Sequence, residues 1–407
     1  MNKSILTIVT MLLIVGCNQE KASEENETPA VTQLQFDMDQ NAKYGQPYLY
    51  SNQADVVMMS FIKTEGDQHS LFYTYLQNNE WSEPQKIATG SDWFVNWADY
   101  PQISSFKENS LISFFLQKSG EGVYSYDIKL SHSEGGNTWS DPHPLHDDGK
   151  EAEHGFVSFV PYEDKMLAAW LDGRNTAGGH DAHHGHNGGA MTLRAALLDK
   201  HGNKPIEWEL DDKVCDCCQT SATLTSNGPV IVYRDRSDEE VRNISIVRYV
   251  DGEWTSPRPV YPDNWKIPGC PVNGPRIDGK GNLLGVAWFA APNGRPEVKV
   301  AFSQDAGENF KQPIPINSGN TIGRVDFTLI DEESGIVSWM EGADILARKI
   351  NVDGNVGPIV QIASSSDQRS SGFPQMTKSG DKLVFAWTDT KKDNSEILTA
   401  QISVAAF

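Results

Sequence analysis

The chain has 407 residues, a net charge of −21 and 38% apolar residues. So acidic a chain is not built to hold nucleic acid, whose phosphates are met by clusters of Lys and Arg. The length is large for one ordinary domain, but all-β chains often run this long as a single unit.

Residues 1–16 read as a signal peptide, with Lys3 ahead of an apolar run from Ile5 to Val15. That run is too short to span a bilayer but suits a secretory h-region. It ends in Leu13-Ile14-Val15-Gly16-Cys17, which resembles the lipobox of bacterial lipoproteins. The resemblance implies cleavage before Cys17 and acylation of its amine and thiol, so the membrane is a partner through lipid. Two or more acyl chains anchor stably where one is marginal, at roughly 0.8 kcal/mol per buried methylene. Residues 17–32 are polar and acidic (Glu20, Glu24, Glu25, Glu27) without apolar periodicity, the composition of a disordered tether. Asn18 is not the aspartate that resembles an inner-membrane retention signal. The expected location is therefore the outer membrane or cell surface. No second apolar segment reaches spanning length.

From residue 33 to 407 a module repeats: a short strand, a turn with Gly, Asn or Asp, then an apolar strand. The apolar strands read Val56–Phe61, Leu111–Phe115, Met166–Trp170, Val230–Tyr233, Leu284–Trp288, Gly335–Trp339 and Leu383–Trp387. Their spacing of roughly fifty to sixty residues is that of propeller blades. The predicted fold is all-β, a propeller of seven four-stranded antiparallel blades, with six blades and one irregular insertion as the alternative. The last copy has only three strands of its own, and Thr32 to Phe36 could supply the fourth, closing the ring.

Trp-Ser-x-Pro or a close variant recurs at Trp81, Trp139 and Trp254, where fourth strands are expected to open. Ser303-Gln304-Asp305-Ala306-Gly307-Glu308-Asn309-Phe310 resembles the Asp-box of sialidase-like propellers, and His132 to Trp139 is a degenerate copy. As a turn it makes physical sense: the aspartate satisfies backbone N–H groups, glycine takes positive φ, and the aromatic packs between sheets.

In a propeller, loops entering first strands and loops leaving second strands share one axial face. Those loops bring Trp97, Asp99, His154, Cys215 to Thr220, Cys270, Asn273, Arg324, Asp326 and Arg369, and also Asp172, Arg174, Arg234, Asp235, Arg236, Glu341 and Asp389. The sialidase resemblance implies an arginine cluster for a substrate carboxylate, a tyrosine–glutamate pair and an aspartic acid. Arg174, Arg234 or Arg236, and Arg324 are the candidates for the first. Asp99 is the candidate acid, and Glu341 would support Tyr100 or Tyr233. Arginine suits that role because its planar fork meets a carboxylate with two bonds. The family's Arg-Ile-Pro motif is missing from the first blade, which speaks against ordinary sialidase activity.

Cys215, Cys217, Cys218 and Cys270 fall at neighbouring entering loops. Outside the cytoplasm two disulfides are the plain reading, and sequence cannot choose among the pairings. Thiolates also suit Cu(I) or Zn(II), with copper or zinc as the cofactor, and redox chemistry is the third reading. His180, His183, His184 and His186 lie in a Gly-rich loop of the third blade and, with His154, are further candidate ligands. Cys-Asp-Cys-Cys-Gln-Thr, Gly-Cys-Pro-Val-Asn-Gly-Pro and Trp-Leu-Asp-Gly-Arg also resemble a group of exported bacterial proteins described as sialidase-like. Two functions are therefore expected to compete: hydrolysis or binding of an acidic glycan, and metal binding. A non-catalytic scaffold for a protein partner is the third.

Overall fold

The computed structural model describes residues 31–176, 189–391 and 394–407. The signal peptide, Cys17, nearly all of the tether and the histidines at 180, 183, 184 and 186 lie outside the described residues. Seven antiparallel sheets follow one another along the chain. Blades one to six span 43–90, 103–144, 154–211, 221–261, 276–315 and 321–364. The seventh joins Gln375–Ser379, Lys382–Lys391 and Asn394–Ser403 to Thr32–Leu34. The predicted closure is thus present, with Thr32 opposite Gln401 and Leu34 opposite Thr399. Thr399 also stitches the seam sideways. Its Oγ1 donates to Leu34 O (3.1 Å) and accepts from Trp81 Nε1 in blade one (2.9 Å).

The second strands are apolar on both sides because neighbouring blades cover both faces. Their terminal tryptophans, Trp170, Trp288, Trp339 and Trp387, are buried. Small residues appear where a neighbour's ring must enter. A Cβ on Gly285 or Gly335 would stand 2.3 or 2.5 Å from the Phe327 ring, so only glycine leaves room for it. The Trp-Ser-x-Pro runs sit one step earlier than expected. Trp81 and Trp254 belong to two-residue strands that precede the fourth strands Gln85–Gly90 and Arg258–Tyr261.

The Asp-box is a turn, as its composition implies. Asp305 Oδ1 accepts from Ser303 Oγ (2.6 Å) and Asn309 N (2.8 Å), and Gly307, at φ 81°, donates its N–H to Ser303 Oγ (2.9 Å). In the degenerate copy Ser133 plays the same part towards Gly136, and the Trp139 ring packs edge-on against Tyr73 at 5.7 Å.

First strands line a central channel of about 450 Å³. Three of them, Lys43–Ser51, His154–Tyr162 and Thr321–Leu329, carry bulges near their axial ends. A non-glycine residue takes positive φ at each: Gln46 (53°), Phe156 (57°) and Arg324 (53°). Such conformations cost on the order of 1–2 kcal/mol, so the surrounding structure must hold them. At two of the three a side chain from the preceding blade does so. Phe156 N donates to Asp99 Oδ2 (2.8 Å), and Arg324 N donates to Asn273 Oδ1 (2.7 Å).

Candidate functional site

At the axial face the channel is plugged. Trp97 stacks on Phe373 (5.6 Å, 15°) and Tyr100 on Tyr48 (5.9 Å, 16°). Arginine guanidinium groups lie over these rings, Arg324 and Arg369 on Trp97 (5.4 and 6.0 Å) and Arg276 on Tyr100 (5.5 Å). Gln219 bolts the plug down by donating to Ala98 O (2.7 Å) and accepting from Gly274 N (2.8 Å).

The four arginines proposed as a carboxylate clamp go to four different sets of partners. Arg174 forks onto Asp172 (2.8 and 2.7 Å). Arg234 is buried and donates to the carbonyls of Asn273, Arg242 and Phe289. Arg236 is held by Glu240 and Asp216. Arg324 binds Ser371 Oγ (2.8 Å) and the carbonyls of Asp367 and Gln368. Their donors are used within the fold. Arg194, on the third strand of blade three, pairs with Glu207 and Glu209 of the outer strand.

The expected tyrosine–glutamate pairing does not form either. Glu341 accepts from Trp339 Nε1 (2.9 Å) and Ser318 N (3.1 Å) in its own corner of the ring. Tyr233 donates to Asp211, and Tyr100 is buried with its hydroxyl unpartnered among the described residues. Asp99 is the latch on Phe156, and burial pushes its carboxyl up to about 7. Beside it Glu153, pushed up to about 8 chiefly by burial, accepts from Tyr126 Oη (2.8 Å). Sequence reasoning missed this buried tyrosine–glutamate pair, because neither residue stands in a motif.

His154 joins a cluster of its own, apart from the cysteines. Its Nδ1 donates towards Tyr126 O and Ala152 O (3.2 Å each), and its Nε2 faces Asp148 (3.1 Å) and Asp172 (3.7 Å). The His146 ring stacks on it at 3.6 Å and also meets Asp148 (3.0 Å). Burial lowers the pKa of His146. It would lower that of His154 too, but Asp148 and Asp172 reverse the shift. Asp127, His146 and His154 form one group of potential metal ligands, and Asp148, His154 and Asp172 another. Lys129 on Asp127 and Arg174 on Asp172 already supply cations there. His146 and Asp148 were legible only as a His-Asp-Asp run after Pro144.

The four cysteines do converge. Cys217 and Cys270 form a disulfide (Cα–Cα 6.0 Å), and Cys215 and Cys218 are buried free thiols. The sulfurs of Cys215, Cys217 and Cys218 lie within 4.8 Å of one another. With two sulfurs bonded, a four-thiolate centre would require that bond to be reduced. Arg242, also missed, donates to Cys215 Sγ (3.2 Å).

A second cavity of about 450 Å³ opens on the axial face where blade one meets blade seven. Lys43, Gln46, His69, Trp97, Thr388 and Thr390 are among its walls. The hydroxyls of Thr388 and Thr390 are buried and have no hydrogen-bond partner among the described residues. None of its described lining residues is acidic.

Seven four-stranded antiparallel blades, with Asp-box turns on the face opposite this groove, define a sialidase-like BNR-repeat propeller. The chain belongs to the BNR repeat-like domain family, whose model matches residues 50–385. In fold it is similar to the polysaccharide lyase Uly1 (8% identity, 94% of each chain covered, TM-score 0.54). It is also similar to the α-L-arabinofuranosidase Arb93A of Fusarium graminearum (10% identity, 93% of this chain and 99% of that one, TM-score 0.51). A protein of unknown function from Dyadobacter fermentans is alike too (10% identity, 91% and 98%, TM-score 0.52). At these identities the likeness is one of fold. No curated protein matches the chain.

Proposed function

We propose that the protein is an exported propeller, anchored by lipid at Cys17 to the outer membrane or cell surface, that binds acidic glycans in the groove between blades one and seven. One observation carries this reading: two buried threonine hydroxyls without partners among the described residues face a groove that also presents Lys43 and His69, on a chain of net charge −21. A buried hydroxyl left unpaired costs on the order of 1–3 kcal/mol, and a sugar hydroxyl would recover it. Lys43 supplies a cation for a sugar carboxylate. His69, whose pKa burial lowers, is a neutral donor or acceptor at neutral pH. Acid–base hydrolysis needs two carboxyl groups about the scissile bond, and the described lining offers none. The reading is therefore binding without hydrolysis.

The test is calorimetric titration of the full-length protein in detergent with sialylated and uronate oligosaccharides, while reducing ends and unsaturated products are assayed. Binding should weaken at least tenfold in Lys43→Ala and in Thr388→Val, with no turnover. If no member of the panel binds, or both variants bind like the parent, the reading fails. Cys17→Ser should move the protein from the membrane to the soluble fraction, and unchanged membrane association would remove the anchor.

A further inference from the structure

The four cysteines form a path from surface to core. Cys270 is exposed and bonded to Cys217, which is half-buried. Cys217 Sγ lies 4.0 Å from Cys215 Sγ, and Cys215 Sγ lies 2.7 Å from Cys218 Sγ, both of these thiols being buried. A staple alone needs only the outer pair. The inner pair is set beside it, with a cation on the sulfur next in line. Arg242 donates to Cys215 Sγ (3.2 Å) while Glu240 grips its other nitrogen (2.8 Å). Arg234, fixed by three backbone carbonyls, adds its charge. Burial alone would push the Cys215 thiol up. The hydrogen bond with Cys218 and the two arginines outweigh it and bring the thiol below its usual value, whereas burial pushes Cys218 up.

We propose that this is a thiol–disulfide exchange site, in which the disulfide migrates between the exposed Cys217–Cys270 pair and the buried Cys215–Cys218 pair, and whose substrate is an external disulfide. In the first step the Cys215 thiolate attacks Cys217 Sγ. The Cys215–Cys217 bond forms, the Cys217–Cys270 bond breaks, and Cys270 leaves as a thiolate. In the second, the Cys218 thiolate attacks Cys215 Sγ, and Cys217 leaves with the bonding pair. The two protons lost by Cys215 and Cys218 end on Cys217 and Cys270. One disulfide and two thiols stand on each side, so no oxidant is consumed. The surface dithiol then reduces the external disulfide. Cys270 attacks it, expelling one thiol, and Cys217 resolves the mixed disulfide, expelling the second. The two electrons come from the buried dithiol, which ends as the Cys215–Cys218 bond. The site is independent of the glycan groove.

The test is native labelling of the full-length protein in detergent with a bulky maleimide, followed by peptide mapping. The expected result is label at Cys270, with the remaining disulfide mapped to Cys215–Cys218 or Cys215–Cys217. Cys215→Ser, with an unchanged circular dichroism spectrum, should label at least tenfold more slowly, because the thiol that Arg242 pairs with is gone and Cys218, whose thiol burial pushes up, is the weaker nucleophile at neutral pH. Should that variant fail to fold, Arg242→Met decides: its labelling should be slower at pH 7 and approach the parent's rate at pH 9. An unlabelled parent with an intact Cys217–Cys270 peptide overturns the proposal. So do label confined to Cys215 or Cys218, a rate in Arg242→Met equal to the parent's at pH 7, and one bound copper or zinc per chain by elemental analysis.

Discussion

Replacing Asp99 by Asn should make the protein more stable, by an amount that grows with pH. Asp99 is 5% exposed, and its carboxyl is held near 7 by burial, against an ordinary value of 3.8. Below about pH 4 the group is protonated in both folded and unfolded chains and contributes nothing to the difference between them. As pH rises from 4 to 7 the unfolded chain releases a proton that the folded chain keeps, so the folded state loses stability. Above 7 the full difference applies, 7 minus 3.8 or 3.2 units, which is roughly 4 kcal/mol at 1.36 kcal/mol per unit. Asn keeps the carbonyl that accepts the Phe156 N–H and carries no charge. Its extra amide hydrogens cost on the order of 1 kcal/mol, but equally at every pH. Glu153 reinforces the trend, since the Asp99 charge is one cause of its own raised value. Urea denaturation of parent and variant between pH 4.5 and 8.5 measures the gap directly. It should open by roughly 2–4 kcal/mol over that interval. Parallel stability curves would refute the argument, and with it the view that Asp99 is a buried latch.

Three further outcomes follow from the architecture. Leu34→Asp puts a charge into the closing strand and should lower stability by about 2–4 kcal/mol in urea denaturation, because the ring seam then opens. Trp288→Ala, in the middle of blade five, should cost about 3–5 kcal/mol by the same assay and leave the urea m-value unchanged. His154→Asn should destabilise most at acid pH. The folded-state pKa of His154 is raised, so its contribution is full below its unfolded value near 6.5 and fades as pH rises through the folded one. Thermal melts at pH 5.5 and 8.5 read this out as a larger drop at the lower pH.

The repeat was legible because each blade must bury a strand on both faces, and Met166 to Trp170 or Leu383 to Trp387 can do nothing else. The Asp-box was legible for a similar reason, since its contacts lie within eight consecutive residues and need no partner from elsewhere. The site was legible only as far as which loops meet. Arg174 looked available, yet Asp172 two residues away takes its fork, and Arg234 is spent on the carbonyls of Asn273 and Phe289. Sequence shows a charge but not who has already neutralised it. The groove could not be read at all: Lys43 and Thr388 are 345 positions apart (388 minus 43), and only ring closure makes them neighbours. For the cysteines sequence supplied the convergence but not the pairing, because adjacent residues such as Cys217 and Cys218 take different partners, Cys270 and Cys215.

The closing strand also sets how the propeller would sit on its proposed anchor. In each blade the second and fourth strands end on the axial face, so the fourth strand of blade seven starts on the opposite one. Thr32 pairs with Gln401 near the end of the third strand, and Leu34 leads on towards Lys43 and the groove. A tether preceding Thr32 therefore leaves from the Asp-box face. If residues 17–32 form the tether that their composition leads one to expect, its root-mean-square span would be about 20 Å. A protein anchored at Cys17 should then hold its Asp-box face to the membrane and turn the groove and Cys270 outward. Lysines report this without relying on any ligand. Lys280 is exposed at the end of a first strand on the Asp-box face, and Lys43 is exposed at the groove. In vesicles, a bulky amine reagent should modify Lys280 several-fold more slowly than in detergent and Lys43 at an unchanged rate. Protection of Lys43 with Lys280 left free would refute the orientation while leaving the fold untouched.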